Sequence, residues 1–168
     1  MNINNTNTHS GRLRNMASVY LRQDNRLLLL FRQGRSIVSN LWIGSAGGHF
    51  ESTELNDAKA CVLRELSEEL SFSESALENL SLRYVTLRYT EGEIRQNYYF
   101  FAELKEHLAE APKSCEGFTQ WFAFNDMQNL PMPVTARHVI DHYLQIGQFD
   151  SSLYGAMIGE DIVAFHKL

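Results

Sequence analysis

The segment from Asp57 to Leu70 has the pattern of a helix with two chemically opposite faces, and it constrains the fold more than any other part of the chain. Its apolar residues recur at every fourth position, at Ala58, Val62, Leu66 and Leu70. This spacing predicts a helix that packs one face on a core, with Asn56 as its N-cap. Three carboxylates, Glu65, Glu68 and Glu69, lie on the other side.

These carboxylates are close enough to repel one another. Glu65 is three residues from Glu68 and four from Glu69, spacings at which like charges on a helix repel by roughly 0.2–0.5 kcal/mol per pair. Lys59 and Arg64 are the cations of this segment, so we expect the cluster to be short of protein cations. A divalent cation would relieve the repulsion. The cluster therefore predicts a metal site, and a solvated acidic surface is the alternative.

A glycine pair precedes this helix and completes a known pattern. Gly47-Gly48 is followed by an acidic residue and then by Arg64-Glu65-Leu66-Ser67-Glu68-Glu69. This arrangement resembles the Nudix box, the signature of the Nudix hydrolases. Two features depart from the pattern: two extra residues lie between Glu54 and Arg64, and Ser71 replaces the final glycine. We expect Ser71 to remove the usual left-handed end of the helix.

The resemblance implies a role for each matching residue. Glu65, Glu68 and Glu69 match box glutamates that bind metal and serve catalysis, and Gly47 matches the glycine whose carbonyl often joins the metal shell. The implied cofactor is Mg²⁺ or Mn²⁺. Glu51 and Glu54 compete for the earlier box glutamate, with Glu54 favoured by its spacing from Gly48. Arg64 is expected to hold one box glutamate in place.

Two residues outside the box match further family features. Arg32, at the end of a predicted strand, resembles an arginine that faces the substrate in many relatives; a solvated strand end is the alternative. Glu116 lies in the loop before a predicted strand, where MutT-like members carry a glutamate that acts as general base. A solvated loop glutamate is the alternative there.

The remaining elements follow from periodicity and turn residues. A hairpin is predicted from Met16–Leu21 and Arg26–Arg32, and a terminal hairpin within 151–168. Tyr98 to Phe101 are consecutive aromatics, which predicts a strand buried on both faces. The other predicted elements are a short strand at Trp42-Ile43, a short helix at Glu74–Leu80, strands at Leu82–Tyr89, Glu93–Glu103 and Phe118–Phe124, and a helix from Pro133 to Ile146 ended by Gly147.

This order of elements resembles the Nudix fold, an α/β class fold in which a mixed β-sheet is sandwiched between α-helices. The terminal hairpin is extra to it. We expect a disordered N-terminal tail at 1–10 and a single domain at 11–168, because 168 residues with 44% apolar content suit one core.

Charge and cysteine content narrow the partners. A net charge of −5 and a pI near 5.7 argue against binding a nucleic-acid polymer. Two cysteines are too few for a disulfide framework, and neither a signal peptide nor a membrane-spanning run is recognised. We expect a cytoplasmic protein with a small nucleotide as substrate, and a homodimer is compatible with this.

The resemblance implies metal-dependent hydrolysis of a diphosphate bond in a nucleoside diphosphate derivative. A MutT-like nucleoside triphosphate pyrophosphatase is the first choice, on size and on Glu116. Val134 and Thr135 stand where an oxidised-guanine reader would carry asparagine. Hydrolysis of ADP-ribose or of diadenosine polyphosphates, the latter suggested by Tyr89, remains open. So do a non-catalytic nucleotide-binding regulator and an isoprenyl diphosphate isomerase that would use Cys115.

Overall fold

The computed structural model describes residues 12–32, 40–159 and 163–168. The expected tail at 1–10 and most of the terminal hairpin's turn lie outside these residues. The two α-helices are α1 (Ala58–Leu70) and α2 (Val134–Gln145). The strands are β1 (Arg12–Gln23), β2 (Arg26–Arg32), β3 (Leu41–Ile43), β4 (Ala46–His49), β5 (Leu77–Thr90), β6 (Glu93–Leu104), β7 (Gly117–Ala123), β8 (Tyr154–Ile158) and β9 (Val163–Lys167).

The described strands form one mixed sheet. Its main order is β3-β2-β1-β6-β5-β8-β9, while β4 also pairs with β1 and β7 also pairs with β2. The β1–β6 and β5–β8 pairs are parallel and the other pairs are antiparallel. Both predicted hairpins around β1–β2 and β5–β6 are confirmed. The mixed sheet of the expected fold class is confirmed as well.

A separate core lies on each face of the sheet, because strand residues alternate between the two. On β1, Ala17, Val19 and Leu21 pack with Val62 and Leu66 of α1. The residues between them face the other way, and Tyr20 packs with Val139, Ile140 and Tyr143 of α2. The sheet is therefore sandwiched between the two helices, as predicted.

The aromatic run of β6 contributes to both cores. Phe100 packs on the α1 side, whereas Tyr99 and Phe101 pack on the α2 side. All three are at most 6% exposed. The prediction of a strand buried on both faces is confirmed, since side chains alternate in direction along a strand.

Both ends of α1 differ from the sequence-based expectation. Asp57 rather than Asn56 is the N-cap, and its carboxylate accepts a hydrogen bond from the Ala60 amide at 2.9 Å. Ser71 adopts the left-handed conformation, with φ 59°, and its amide donates to carbonyls of the last turn. The expected loss of the left-handed helix end is thus wrong. A serine occupies that conformation although it lacks glycine's freedom.

Two predictions further along the chain are also corrected. Glu74–Leu80 is not a helix: a 3₁₀ turn spans Glu74–Ala76, and β5 begins at Leu77 because that side chain is buried in the core on the α1 side. Gly147 does not end α2 in a left-handed conformation. A Cβ at Gly147 would collide with the Tyr84 hydroxyl, so close packing requires the glycine.

The terminal hairpin belongs to the sheet rather than standing beside it. β8 runs parallel to β5, with Tyr84 opposite Tyr154, and β9 pairs with β8. Tyr154 and Phe165 join Tyr84 in the α2-side core. The extra hairpin therefore lengthens the sheet at the edge away from α1's glutamates.

Candidate active site

Arg64 is the centre of the ion-pair network at the acidic side of α1. Its guanidinium donates to both carboxylate oxygens of Glu54, at 2.8 and 3.1 Å, and one of its nitrogens donates to Glu65 at 2.8 Å and to Glu68 at 3.0 Å. The bidentate contact lowers the pKa of Glu54. One guanidinium group is thus shared among Glu54, Glu65 and Glu68, so carboxylates still outnumber the arginines at this side of α1. An arginine beside three carboxylates satisfies part of their charge.

The same geometry distinguishes the two candidates for the earlier box glutamate. The Glu54 side chain is 8% exposed, whereas that of Glu51 is 63% exposed and 3.9 Å from Arg64. Glu54 also accepts a hydrogen bond from the Glu51 amide at 2.9 Å. Glu54 thus makes the contacts expected of the arginine-bound glutamate, in agreement with its spacing from Gly48.

Glu69 is the most deeply buried of the three helix glutamates, at 6% exposure. The Gly47 amide donates to one of its carboxylate oxygens at 3.1 Å, and Arg32 lies 3.5 Å from the other. Burial raises the pKa of Glu69 to about 7, and Glu65 and Glu116 add to the rise. This carboxyl group is therefore about half protonated near neutral pH, even with Arg32 beside it.

Glu65 explains the second glycine of the pair. Its carboxylate lies directly against Gly48, where any Cβ would overlap it. Burial raises the pKa of Glu65 although Arg64 opposes the shift. A side chain at position 48 would push Glu65 away from the loop, so the glycine lets the helix and the loop approach closely.

Glu116 and Glu69 are brought together by Arg32. Arg32 ends β2 opposite Gly117 of β7, which places Glu116 beside it. The guanidinium pairs with Glu116 at 3.1 Å and with Glu69 at 3.5 Å. The Cys115 amide donates to the Glu69 carbonyl at 3.4 Å, which ties the β7 loop to the end of α1. Three residues far apart in sequence thus form one junction.

Glu68 is not part of that junction. Its side chain is 57% exposed and is held by Arg64. Within residues 12–32, 40–159 and 163–168, no three His, Cys, Asp or Glu side chains converge closely enough to hold a metal ion. The three helix glutamates do not converge because each of them pairs with an arginine, Glu65 and Glu68 with Arg64 and Glu69 with Arg32. Metal binding would require these side chains to exchange arginine for the ion.

The donor set nevertheless fits a hard divalent cation. Carboxylate oxygens and a backbone carbonyl are the ligands that Mg²⁺ takes, and Glu65 and Glu69 both reach the Gly47-Gly48 loop. Their raised pKa values show that burial leaves their charge incompletely compensated. Gly47, Glu65, Glu68 and Glu69 are the groups that could hold such an ion.

A cavity of about 150 Å³ lies next to this junction, on the α2 side of the sheet. Arg32 and Gly47 line one end. Its walls include Tyr20 and Tyr99 from the sheet and Thr135 from the start of α2. A ligand in this cavity would contact Arg32 and lie next to the Gly47 loop that binds Glu69.

Sequence reasoning missed a residue that positions the glycine loop. Ser45 is fully buried, donates its hydroxyl to the Leu28 carbonyl at 2.6 Å and accepts a hydrogen bond from the Leu21 amide at 2.8 Å. It therefore joins β1 to β2 just before Gly47. A serine next to glycine is common in loops, so the sequence contains no distinct signal for this role.

Fold and site together define an α/β/α protein with an acidic helix side that faces a glycine loop beside a small cavity. A model of the NUDIX domain matches residues 12–143, which is more than half of the chain. The chain belongs to the Nudix family and is a Nudix hydrolase. Nudix hydrolases act on small nucleotide substrates and generally use divalent metal ions.

Solved structures of several family members resemble the fold. The MutT protein of Bacillus halodurans is 20% identical, with 92% of this chain and 97% of that chain covered and a TM-score of 0.59. A MutT NUDIX hydrolase of Burkholderia pseudomallei is 24% identical, with 77% and 97% covered and a TM-score of 0.61. A C. elegans Ap4A hydrolase is 14% identical, with 82% and 99% covered and a TM-score of 0.62.

No curated protein sequence matches the chain. Among the described residues, neither helix is long and apolar enough to cross a membrane.

Proposed function

We propose that the protein hydrolyses a diphosphate bond in a nucleoside diphosphate derivative with Mg²⁺ or Mn²⁺. Among such compounds, we propose nucleoside triphosphates as the substrates, which makes the protein a MutT-like pyrophosphatase. The observation that supports this most is the junction of Arg32, Glu69 and Glu116 at the Gly47 end of the cavity. It combines a cation for phosphate, a buried carboxyl group and a more exposed carboxylate at one point.

Each residue of the junction has a chemical task in this proposal. Glu65 and Glu69, with Glu68 and the Gly47 carbonyl, would hold the metal, whose chemistry there would be charge neutralisation of the diphosphate and activation of water. Arg32 binds a phosphate oxygen of the substrate through its guanidinium. Glu116, with a side chain 46% exposed, can reach solvent water and accept its proton.

Arg64 acts on this chemistry indirectly. Its contacts to Glu54 and to the His49 carbonyl, at 3.1 Å, join α1 to the glycine loop. It thereby positions Glu65 and Glu69 relative to Gly47. Such positioning is what catalysis by oriented carboxylates requires.

The cavity bears on the choice among substrates. Thr135, 7% exposed, lines it, whereas Val134 is 43% exposed. Thr135 offers one hydroxyl, which can contact a nucleobase or sugar but lacks the paired donor and acceptor of an asparagine. Tyr89, the residue that suggested diadenosine polyphosphates, is 68% exposed and lies on a different surface. The nucleoside triphosphates therefore remain the first choice.

A substrate panel with separate detection of products tests the proposal. Purified protein with Mg²⁺ is incubated with the common and oxidised nucleoside triphosphates, ADP-ribose and diadenosine polyphosphates. Release of pyrophosphate together with nucleoside monophosphate identifies a triphosphate pyrophosphatase, whereas phosphate release would point to a different bond. Binding without turnover of any of these compounds would instead favour a nucleotide-binding regulator.

A further inference from the structure

Three arginines lie side by side across three neighbouring strands. Arg14 of β1 is opposite Arg95 of β6, and Arg95 is opposite Arg88 of β5. Directly opposite residues of an antiparallel pair, such as Arg95 and Arg88, project from the same face with Cβ atoms about 4.5–5.5 Å apart, and like charges there are destabilising. We call Arg14, Arg95 and Arg88 the arginine row. Such a row implies a compensating negative charge.

The nearby carboxylates compensate this charge in part. Glu93 lies 3.4 Å from both Arg14 and Arg95. Glu91 lies 3.2 Å from Arg95, but its side chain is 76% exposed, so solvent weakens that pair. Among the residues that the structure describes, two carboxylates thus face three guanidinium groups. Counted over those residues, the row keeps a net positive charge in a protein whose overall charge is −5.

The row is connected to the candidate active site through the cavity. Arg88 and Arg95 line the same cavity as Arg32 and Gly47. Gly47 is opposite Ser18, which is opposite Tyr99 on β6. Arg95 is four residues from Tyr99, a distance of roughly 13 Å along a strand. One ligand could therefore contact both the Glu69 end and the arginine end.

We propose that Arg88 and Arg95 bind a phosphate group of the substrate other than the two joined by the bond that is cleaved. This rests on the proposed function, because it takes the Glu69 end as the reaction site. Guanidinium groups bind phosphate in bidentate fashion, with two parallel hydrogen bonds. A neutral nucleobase edge could also accept hydrogen bonds, but it would not relieve the repulsion between adjacent arginines. The charge of the row therefore favours an anion.

Two positions of that phosphate are chemically distinct. It can be attached to the ribose, or it can extend the phosphate chain beyond the cleaved bond. Both present the same tetrahedral anion to the arginines. Four nucleotides separate these cases: ADP as the reference, adenosine 3′-phosphate 5′-diphosphate, ATP, and GDP for a base-edge contact.

Equilibrium binding by calorimetry, in chelator so that metal-dependent turnover does not run, tests the proposal. We expect the wild type to bind at least one of the two adenosine nucleotides with an extra phosphate about tenfold or more tightly than ADP. Arg95→Gln and Arg88→Gln should each reduce that ratio toward one. Arg95→Lys, which keeps the charge and loses the paired donors, should retain part of it.

Arg22→Gln is the matched control. Arg22 lies at the other end of β1, its side chain is 28% exposed against 26% for Arg95, and it also pairs with a glutamate, Glu103. We expect this variant to keep the wild-type ratio. Thermal melting of every variant checks that the fold is retained.

The other outcomes overturn the proposal. Equal affinity of the wild type for ADP and both phosphate-bearing analogues would exclude a second phosphate subsite. The proposal would also be overturned if the preference for the phosphate-bearing nucleotide over ADP persisted in both Arg88→Gln and Arg95→Gln. A preference for GDP over ADP that is lost in these variants would assign the row to a base edge instead. Because binding is measured without turnover, lack of hydrolysis in the panel would affect the proposed function alone.

Discussion

Replacement of the buried Glu69 by glutamine should stabilise the metal-free protein at alkaline pH while removing its activity. The Glu69 carboxyl group has a pKa of about 7 in the folded protein against an ordinary value of 4.5. At about 1.36 kcal/mol per pH unit, this interval corresponds to a cost of about 3 kcal/mol when the group is ionised. Glutamine carries no charge and keeps an oxygen for the Gly47 amide.

The sign of the pH dependence follows from proton binding. Between pH 4.5 and 7 the folded protein holds the Glu69 proton more tightly than the unfolded chain does. Its free energy of unfolding should therefore fall as the pH rises through this window. The stability difference between Glu69→Gln and wild type should be small near pH 4.5 and should grow to about 3 kcal/mol in favour of the variant at pH 8.

Urea unfolding in chelator at several pH values between 5 and 8 measures this difference. Glu68→Gln serves as the control, because the Glu68 side chain is 57% exposed and its ion pair should contribute less than about 1 kcal/mol. The reasoning is refuted if Glu69→Gln is no more stable than wild type at pH 8. A difference that is the same at pH 5 and pH 8 would refute it equally.

Three further predictions concern the metal, the general base and the arginine network. Chelator should abolish hydrolysis and Mg²⁺ or Mn²⁺ should restore it, and Mg²⁺ should raise the melting temperature by binding the folded state preferentially; activity in excess chelator would contradict the metal role. Glu116→Gln should lower kcat by roughly 10²–10⁴-fold with KM and metal affinity nearly unchanged. The control is Glu110→Gln, which changes an exposed glutamate of the same loop region and should leave the rate unchanged. Equal rates for Glu116→Gln and wild type would exclude Glu116 as the general base. Arg64→Lys should destabilise the fold by about 1–3 kcal/mol in urea titrations, since lysine cannot reproduce the paired contact to the buried Glu54; Lys59→Gln, which removes a surface ion pair, should cost under about 1 kcal/mol.

Local sequence patterns predicted most of the elements. The spacing of apolar residues located α1 and its buried face, and the two-residue turn at Glu91-Gly92 defined the β5–β6 hairpin. That turn also determines the register, and with it the pairing of Arg88 with Arg95. The register can be read from the sequence by counting outward from the turn, so the arginine pair had a signal that sequence reasoning did not use.

Helix ends were harder to predict, because they depend on single backbone conformations. At the C-terminal end of α1, Ser71 takes a left-handed conformation that glycine adopts more readily. At the N-terminal end, the N-cap is Asp57 rather than Asn56. No local pattern in the sequence explains the glycine at position 147. The Tyr84 hydroxyl, from a distant strand, fills the space that a Cβ would need there.

By itself, the sequence determined the class of fold and the family, because both follow from residues close together in the chain. It placed Glu65, Glu68 and Glu69 on one side of α1, whereas the structure buries Glu69 and leaves Glu68 exposed. Tertiary structure decided how those carboxylates are compensated. Arg32 and Glu116 are 84 residues apart in the chain, yet the Arg32 guanidinium lies 3.1 Å from the Glu116 carboxylate. The burial that raises the pKa of Glu69 likewise comes from the loop and strands packed around it. Charge compensation and burial depend on through-space distance, which the order of residues does not specify.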